Sequence, residues 1–356
     1  MSCRLTPLPL VRRPSVTVVM PCDNYGHYLP RAVTSVLSQP EVDVDVILID
    51  DASPDGSGDV VRAMAASDPR IRPIVHERNR GHIATYNEGL ERAEGDYVVL
   101  LSADDALPAG ALSRATALLD AEPSVGFVYG HPVVFADDPP PAPTGIRDWT
   151  VWGGEEWIER RCQKGENCIM NPEVVMRTSV QHAIGGYDPA LPHSGDLEMW
   201  MRAAAVADVG RVNGPGQGYY RVHEMSMQRT VNAGHVADLR GRLDAFAKVL
   251  AGPDARVARG EQLFATARRS LALAALGYAR LAYEHGRAEL EPINEYLAFA
   301  EEVWPEARQS RQWSAVARRA RLGAARLQHG IVWKGRRALT DIENRISWHQ
   351  WRRNGM

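Results

Sequence analysis

Apolar residues near the start of the chain come in short unbroken runs, each followed by a stretch with helical spacing. Val16 to Met20, Val44 to Ile49 (interrupted only by Asp45) and Tyr97 to Leu101 are such runs, and Ile71 to Val75, which holds Arg72 and Pro73, is a further short strand in the series. Runs of this length without polar alternation suit strands covered on both faces, as in a parallel sheet. The first is expected to stop at Pro21. Between them, Tyr28 to Gln39 places Leu29, Val33, Val36 and Leu37 on one helical face, and helices are predicted around Asp59 to Ala66 and Ile83 to Ala93. The turn signals Asp51 to Gly56, Asn79-Arg80-Gly81 and Glu94-Gly95-Asp96 fall where the elements change. This alternation from Pro14 to about Pro123 predicts a doubly wound α/β domain.

Further along, Gly126 to Tyr129 and Val133 to Phe135 are candidates to extend the sheet, and the proline-rich 137–143 stretch is expected to be an exposed loop. From Trp149 to about His223 the pattern predicts short helices alternating with Gly/Pro turns. Beyond Val231 the chain is rich in Ala, Leu, Arg and Glu, broken at Gly252-Pro253 and Pro292, and reads as a separate helical unit.

A chain of 356 residues exceeds one ordinary core, so two or three units are expected. The net charge of −3 argues against nucleic acid as a partner of the whole surface. No run of about 18 apolar residues suggests a membrane span. The N-terminal stretch lacks the apolar segment of a cleaved export signal. Cys3, Cys22, Cys162 and Cys168 show neither metal-ligand nor redox spacing, which points to reduced thiols and a cytoplasmic protein.

Two aspartate pairs stand at strand ends, Asp50-Asp51 and Asp104-Asp105. In an open parallel sheet such ends face the ligand crevice. Aspartate there is also a common turn residue or helix cap, and for Asp50-Asp51 taken alone that is the better reading. Ser102-Ala103-Asp104-Asp105 offers hard oxygen ligands suited to Mg²⁺ or Mn²⁺ alongside a phosphate-bearing ligand, with a cap before Pro108 as the equal alternative. Asp196 opens a predicted helix, where the helix dipole favours an acid whatever its function. As a general base it is the first choice, with Glu198 behind it. Arg221 and His223 lie two apart in an extended segment, hence on one face, which suits an anion or a metal. A Gly-x-Gly-x-x-Gly turn, a Walker-A loop and a Gly-x-Ser-x-Gly elbow are all missing.

Taken in order, Val18 to Tyr25, Ser35 to Gln39, Ile49 to Gly56, Asn79-Arg80-Gly81, Asn87-Glu88-Gly89, Gly95-Asp96-Tyr97, Leu101 to Asp105, Gly185 to Asp188 and Tyr220 to His223 resemble the family-2 glycosyltransferases of the GT-A fold. The resemblance covers roughly Pro14 to Arg229. It implies a doubly wound, mostly parallel sheet: residues 1–125 would be the nucleotide-sugar-binding half, 126–230 the acceptor-binding half and 231–356 a helical C-terminal region. It implies a nucleotide pocket lined by Pro21, Asn24 and Tyr25, with Asp50 beside it and Asp51 accepting from the base. Arg80 and Asn87 would approach the phosphates or sugar, and Ser102, Ala103 and Asp105 would lie along the donor. Asp104 and His223 would hold Mn²⁺ or Mg²⁺, and Asp196 would be the base of an inverting transfer to an acceptor hydroxyl. The implied donor is a nucleoside-diphosphate sugar, with UDP the first candidate carrier and dTDP the second. Ser102 stands where the family often has a further aspartate, which leaves open a catalytically silent nucleotide-sugar-binding or scaffold protein. Ser194-Gly195 likewise lacks the acid that often precedes the base.

Basic residues dominate between Arg308 and Arg353, with Val316, Ala320, Gly323, Leu327 and Ile331 on one helical face and four tryptophans interspersed. Two readings stand: peripheral contact with anionic lipid at the inner membrane face, or a helical subdomain that packs its tryptophans and solvates its arginines. The narrow, alanine-rich stripe favours the second.

Overall fold

A computed structural model describes residues 2–223, 234–253, 255–322, 346, 351 and 355. They divide into two compact units, Met1–Ile158 with Cys168–Ser226, and Glu159–Asn167 with Met227–Asn354.

In the first unit, strands β1 (Cys3–Leu5), β2 (Ser15–Cys22), β3 (Asp43–Asp50), β4 (Ile71–Val75), β5 (Tyr97–Leu100) and β6 (Val125–Tyr129) come in chain order with helices α1 (Leu29–Leu37), α2 (Ser57–Ser67), α3 (His82–Glu91) and α4 (Ala111–Ala121) between the later ones. Then follow β7 (Pro132–Phe135), β8 (Asp148–Trp152), α5 (Gly154–Lys164, of which only the part up to Ile158 belongs to this unit), β9 (Val175–Arg177), α6 (Thr178–Ile184), α7 (Gly195–Ala204), β10 (Asp208–Asn213) and β11 (Gly218–Arg221). One nine-stranded sheet runs β1-β8-β10-β6-β9-β5-β2-β3-β4. β9 is antiparallel to both neighbours and β8 to both of its own, so the other seven strands share one direction. The four strands nearest the β4 edge are parallel throughout. The apolar runs of β2 and β3 are buried on both faces, with Val16, Val18, Val19, Met20 and Val46 to Ile49 at most 1% exposed, whereas β4 at the edge is only partly buried.

Pro21 does not end β2, which continues to Cys22 beside Ile49 and Asp50. β5 pairs with β2 only as far as Val19, and the Leu101 N–H donates to the Val19 carbonyl. The absent N–H of Pro21 therefore faces the side where no partner strand remains. Pro73 is tolerated because β4 is an edge strand.

Three strands lie where short helices and turns are expected. β8, β9 and β10 are three to six residues long, and β9 sits between β5 and β6. Of the two candidates to extend the sheet, only β6 does so; β7 pairs with β11 in a separate two-stranded ribbon. β6 also crosses the expected 125/126 boundary, so the two halves share one uninterrupted sheet.

The second unit is helical. Helices His235–Ala251, Ile293–Val303 and Arg311–Leu322 all pack on the long helix Gly260–Glu284. That helix buries Leu263, Ala267, Leu271, Ala275 and Ala279 at steps of four residues. On Arg311–Leu322 the expected stripe is only half right. Val316 is buried, but the next inward position is Arg319, and Ala320 is exposed. Arg319 is drawn in by Glu284, 1% exposed, to whose Oε1 its Nε donates at 3.1 Å. The rest of the proposed lipid-facing tail, from 323 onward, falls almost wholly outside the described residues. Among the described residues no helix is long and apolar enough to cross a membrane.

Candidate active site

The parallel strands all deliver their carboxyl ends to one edge of the sheet. After β5 the chain turns through Ser102-Ala103-Asp104-Asp105, and an isolated bridge between Ala106 and Tyr219 fastens this turn to β11. His223, two residues beyond β11, is thereby brought to Asp104, with Nε2 and Oδ2 3.1 Å apart. The His223 ring is wedged against Tyr25 at 5.5 Å and Tyr28 at 6.0 Å.

Asp105 points inward. Its Oδ1 accepts the Arg221 N–H at 2.9 Å, and burial followed by the neighbouring Asp104 charge holds its proton affinity well above the usual carboxylate range. Arg221 is not the anion-binding partner of His223 that the extended spacing suggests. Its guanidinium lies between the Tyr28 and Phe135 rings, and it donates to the carbonyls of Asp104, Ala136 and Asp137. It fastens the motif to the loop after β7.

Asp51 is held by the protein itself. Its Oδ1 accepts from His76 Nδ1 at 2.6 Å and from the Arg80 N–H at 2.8 Å, while Oδ2 accepts from the Gly81 N–H at 2.9 Å. Burial would raise its affinity for a proton, but these donors outweigh it and the carboxyl lies below its ordinary value. His76 continues to Glu88 at 3.0 Å, and Glu88 also pairs with Arg80 and Arg92. Arg80 stays half-exposed.

Asp50 and Asn87 depart from expectation. Asp50 is 1% exposed beneath α2, so close to Gly58 that a side chain there would meet its Oδ2 at 3.1 Å. It takes the Ser53 N–H at 3.3 Å, and as an inward residue at a strand end it supports the turn. Asn87 spends both ends of its amide on the Tyr187 backbone, 2.8 Å to the carbonyl and 2.6 Å from the N–H. It joins α3 to the Gly185-Gly186-Tyr187 turn. Ala103 is buried, Pro21, Tyr25 and Ser102 are partly exposed, and Asn24 is exposed in a left-handed conformation (φ 62°) with its N–H on Ser53 Oγ.

Asp196 stands in the first turn of α7, with Oδ1 accepting the Tyr187 hydroxyl at 2.9 Å. Burial pushes it above the usual carboxylate range, and Tyr187 and His82 pull partly back. Glu198 is fully buried and held bidentately by Arg202 at 2.8 Å, which removes it as a base.

Two tyrosines lie within electrostatic reach of these acids. Tyr86 and Tyr220 both feel Asp104, Asp105 and Asp196. Burial first and these charges second push Tyr220 up to about 12 and raise Tyr86 further. Tyr86 was the silent residue of the motif around Asn87. Its signal was the spacing of four from His82, whose ring it meets at 5.5 Å.

Among the described residues no three His, Cys, Asp or Glu side chains gather as a ready-made metal shell. Asp104 and His223 supply one oxygen and one nitrogen 3.1 Å apart. That spacing matches the roughly 3 Å edge of an octahedron with bonds of about 2.1 Å, and ions such as Mg²⁺ commonly take one or two protein ligands with substrate phosphates completing the shell. The pair fits such an ion.

Residues 17–182 match the model described as Glycosyl transferase family 2. This segment belongs to the family-2 glycosyltransferases. A putative teichuronic acid biosynthesis glycosyltransferase of Bacillus subtilis is 38% identical over 93 residues, 26% of this chain and 37% of its own. The GalNAc(5)-diNAcBac-PP-undecaprenol beta-1,3-glucosyltransferase of Campylobacter jejuni is 32% identical over 119 residues, 33% of this chain and 38% of its own. The chain thus spans less than two fifths of the length of these curated relatives. The crystal structure of S. aureus TarS 1-349 superposes with a TM-score of 0.53 at 17% identity, covering 83% of this chain and 91% of that one, which shows the GT-A fold.

Proposed function

We propose that the protein is a metal-assisted, inverting glycosyltransferase that moves a sugar from a nucleoside diphosphate to an acceptor hydroxyl. The observation that carries this reading is the Asp104–His223 pair, 3.1 Å apart just beyond β5 and β11; Asp104 and Asp196 also both act on Tyr86 and Tyr220. One acid sits with a histidine as a pair suited to a cation, and the other accepts a tyrosine hydroxyl and keeps a raised proton affinity, as a base toward a hydroxyl should. UDP is the first candidate carrier and dTDP the second; the TarS fragment has been crystallised with UDP-GlcNAc and with UDP.

In this reading Pro21, Asn24 and Tyr25 line the nucleotide, with Asp51 accepting from its base. Half-exposed Arg80 faces the phosphates, and Ser102, the Ala103 backbone and Asp105 flank the donor sugar. Asp104 and His223 would hold Mn²⁺ or Mg²⁺, which supplies Lewis-acid neutralisation of the diphosphate leaving group. Asp196 takes the proton of the acceptor hydroxyl as that oxygen attacks the anomeric carbon from the face opposite the diphosphate. The new glycosidic bond forms as the bond to phosphate oxygen breaks, which inverts the centre.

Asp196→Asn is expected to reduce transfer by about 10²-fold or more, in line with removal of a general base. Calorimetric titration with UDP and Mn²⁺ should meanwhile return an affinity close to that of the wild type. Loss of nucleotide affinity in step with transfer would make Asp196 a structural residue. A silent binding protein would release no UDP from any sugar donor, with or without the substitution.

A further inference from the structure

Asp196 is served by a chain of contacts that none of the expected roles explains. The Tyr187 hydroxyl donates to Asp196 Oδ1 at 2.9 Å. The Tyr187 backbone is gripped on both sides by Asn87, through its N–H and its carbonyl. Gly186 makes that grip possible, since a Cβ there would stand 2.4 Å from Asn87 Oδ1. The Tyr86 ring meets the Tyr187 ring edge-on, with centroids 5.8 Å apart at 73°. Backbone and ring are both fixed, so the phenol has one direction in which to point, and that direction is the carboxylate.

We propose that Tyr187 is the positioning residue for Asp196: its hydroxyl holds Oδ1, leaves Oδ2 for the acceptor and sets how readily the carboxylate takes a proton. The inference rests on the reading of Asp196 as the base. A hydroxyl donated to a carboxylate stabilises the anion, so Tyr187 opposes the effect of burial. The other groups facing Asp196 come from every neighbouring element. His82 and Tyr86 lie on α3 and Tyr220 on β11, while on α7 itself Glu198 is neutralised by Arg202. His82 acts in the same sense as Tyr187 but without a hydrogen bond to the carboxylate among the described contacts, and it follows Tyr187 in weight.

The test needs no substrate. With ¹³Cγ-labelled aspartate, the Asp196 carboxyl resonance is identified by its absence in Asp196→Asn, and its titration is followed by NMR. Loss of a hydrogen bond to a charged group predicts a midpoint about one to two pH units higher in Tyr187→Phe. Placing 3-fluorotyrosine at position 187 keeps the shape, makes the phenol a stronger donor and should lower the midpoint. This second variant decides the matter should Tyr187→Phe fold poorly. An unmoved midpoint overturns the inference, whatever happens to thermal stability. Transfer assays on the same proteins separate the two ideas. An inactive Asp196→Asn with an unmoved midpoint leaves the base in place and removes the role of Tyr187. A moved midpoint with fully active Asp196→Asn removes the base and keeps the contact.

Discussion

Asp51 shows how a residue's neighbours decide its chemistry. Three donors from its own chain converge on it, so its folded carboxyl binds a proton less readily than in the unfolded chain. The sign follows by linkage: the unfolded state takes up the proton first, so this stabilisation is fully present above about pH 4 and is lost as pH falls through the lower folded value. Asp51→Asn should therefore be less stable than wild type at pH 7 in urea unfolding, and the gap should narrow below pH 4. A gap constant from pH 7 to pH 3 would show that the ionised carboxylate contributes nothing. At this scale the places of Asp51 and Asp104 just after their strands and of Asp196 in a first helical turn were legible, because a carboxylate there has few alternative places to go. Asp50 and Asn87 were not. Sequence order gives the strand end but not which of two adjacent side chains turns inward, nor that an amide will be claimed by a backbone 100 residues away. Tyr86 offered only its spacing of four from His82 and Tyr187 only its place in the Gly185 to Asp188 motif, and an aromatic beside a motif is more often core.

The elements of the parallel half follow from unbroken apolar runs, and their packing is close enough to test with one methyl group. Gly89 on α3 lies against β2 and β3, where a Cβ would stand 2.2 Å from Val19 Cγ1 and 2.9 Å from Ile49 Cδ1. Helix propensity favours alanine over glycine by about 1 kcal/mol. Overpacking of a filled core costs about 1–3 kcal/mol and occasionally more. Gly89→Ala is thus expected to be net destabilising in urea unfolding, and a stabilised variant would mean that α3 stands further from the sheet. The antiparallel additions were harder to read. β9 has three residues and pairs with strands roughly 50 to 80 positions earlier, so neither alternation nor length identifies it. Arg319 was misread for a related reason. Helical periodicity assigns arginine to solvent, and only the buried Glu284 on a neighbouring helix reverses that.

For the molecule as a whole, the architecture explains why chemistry gathers at one edge of the sheet. Seven strands run in one direction, so β3 and β5 end together with Asp51 and Asp104, and β11 returns His223 to the same place. The ordered motifs made this fold readable, because each falls at a turn that the parallel topology brings to the crevice. The helical unit could be read only as helical, because alanine-rich amphipathic segments leave the choice of packing partner open. The claim on which the account depends is that the Asp104–His223 pair holds a divalent ion against the diphosphate. Calorimetric titration of wild type and Asp104→Ala with UDP, dTDP and GDP, with and without Mn²⁺, tests it most directly. The account predicts that Mn²⁺ tightens binding of at least one nucleotide by about tenfold or more, equivalent to roughly 1.4 kcal/mol, and that Asp104→Ala abolishes the gain. Nucleotide binding that is indifferent to both the ion and the substitution would contradict it.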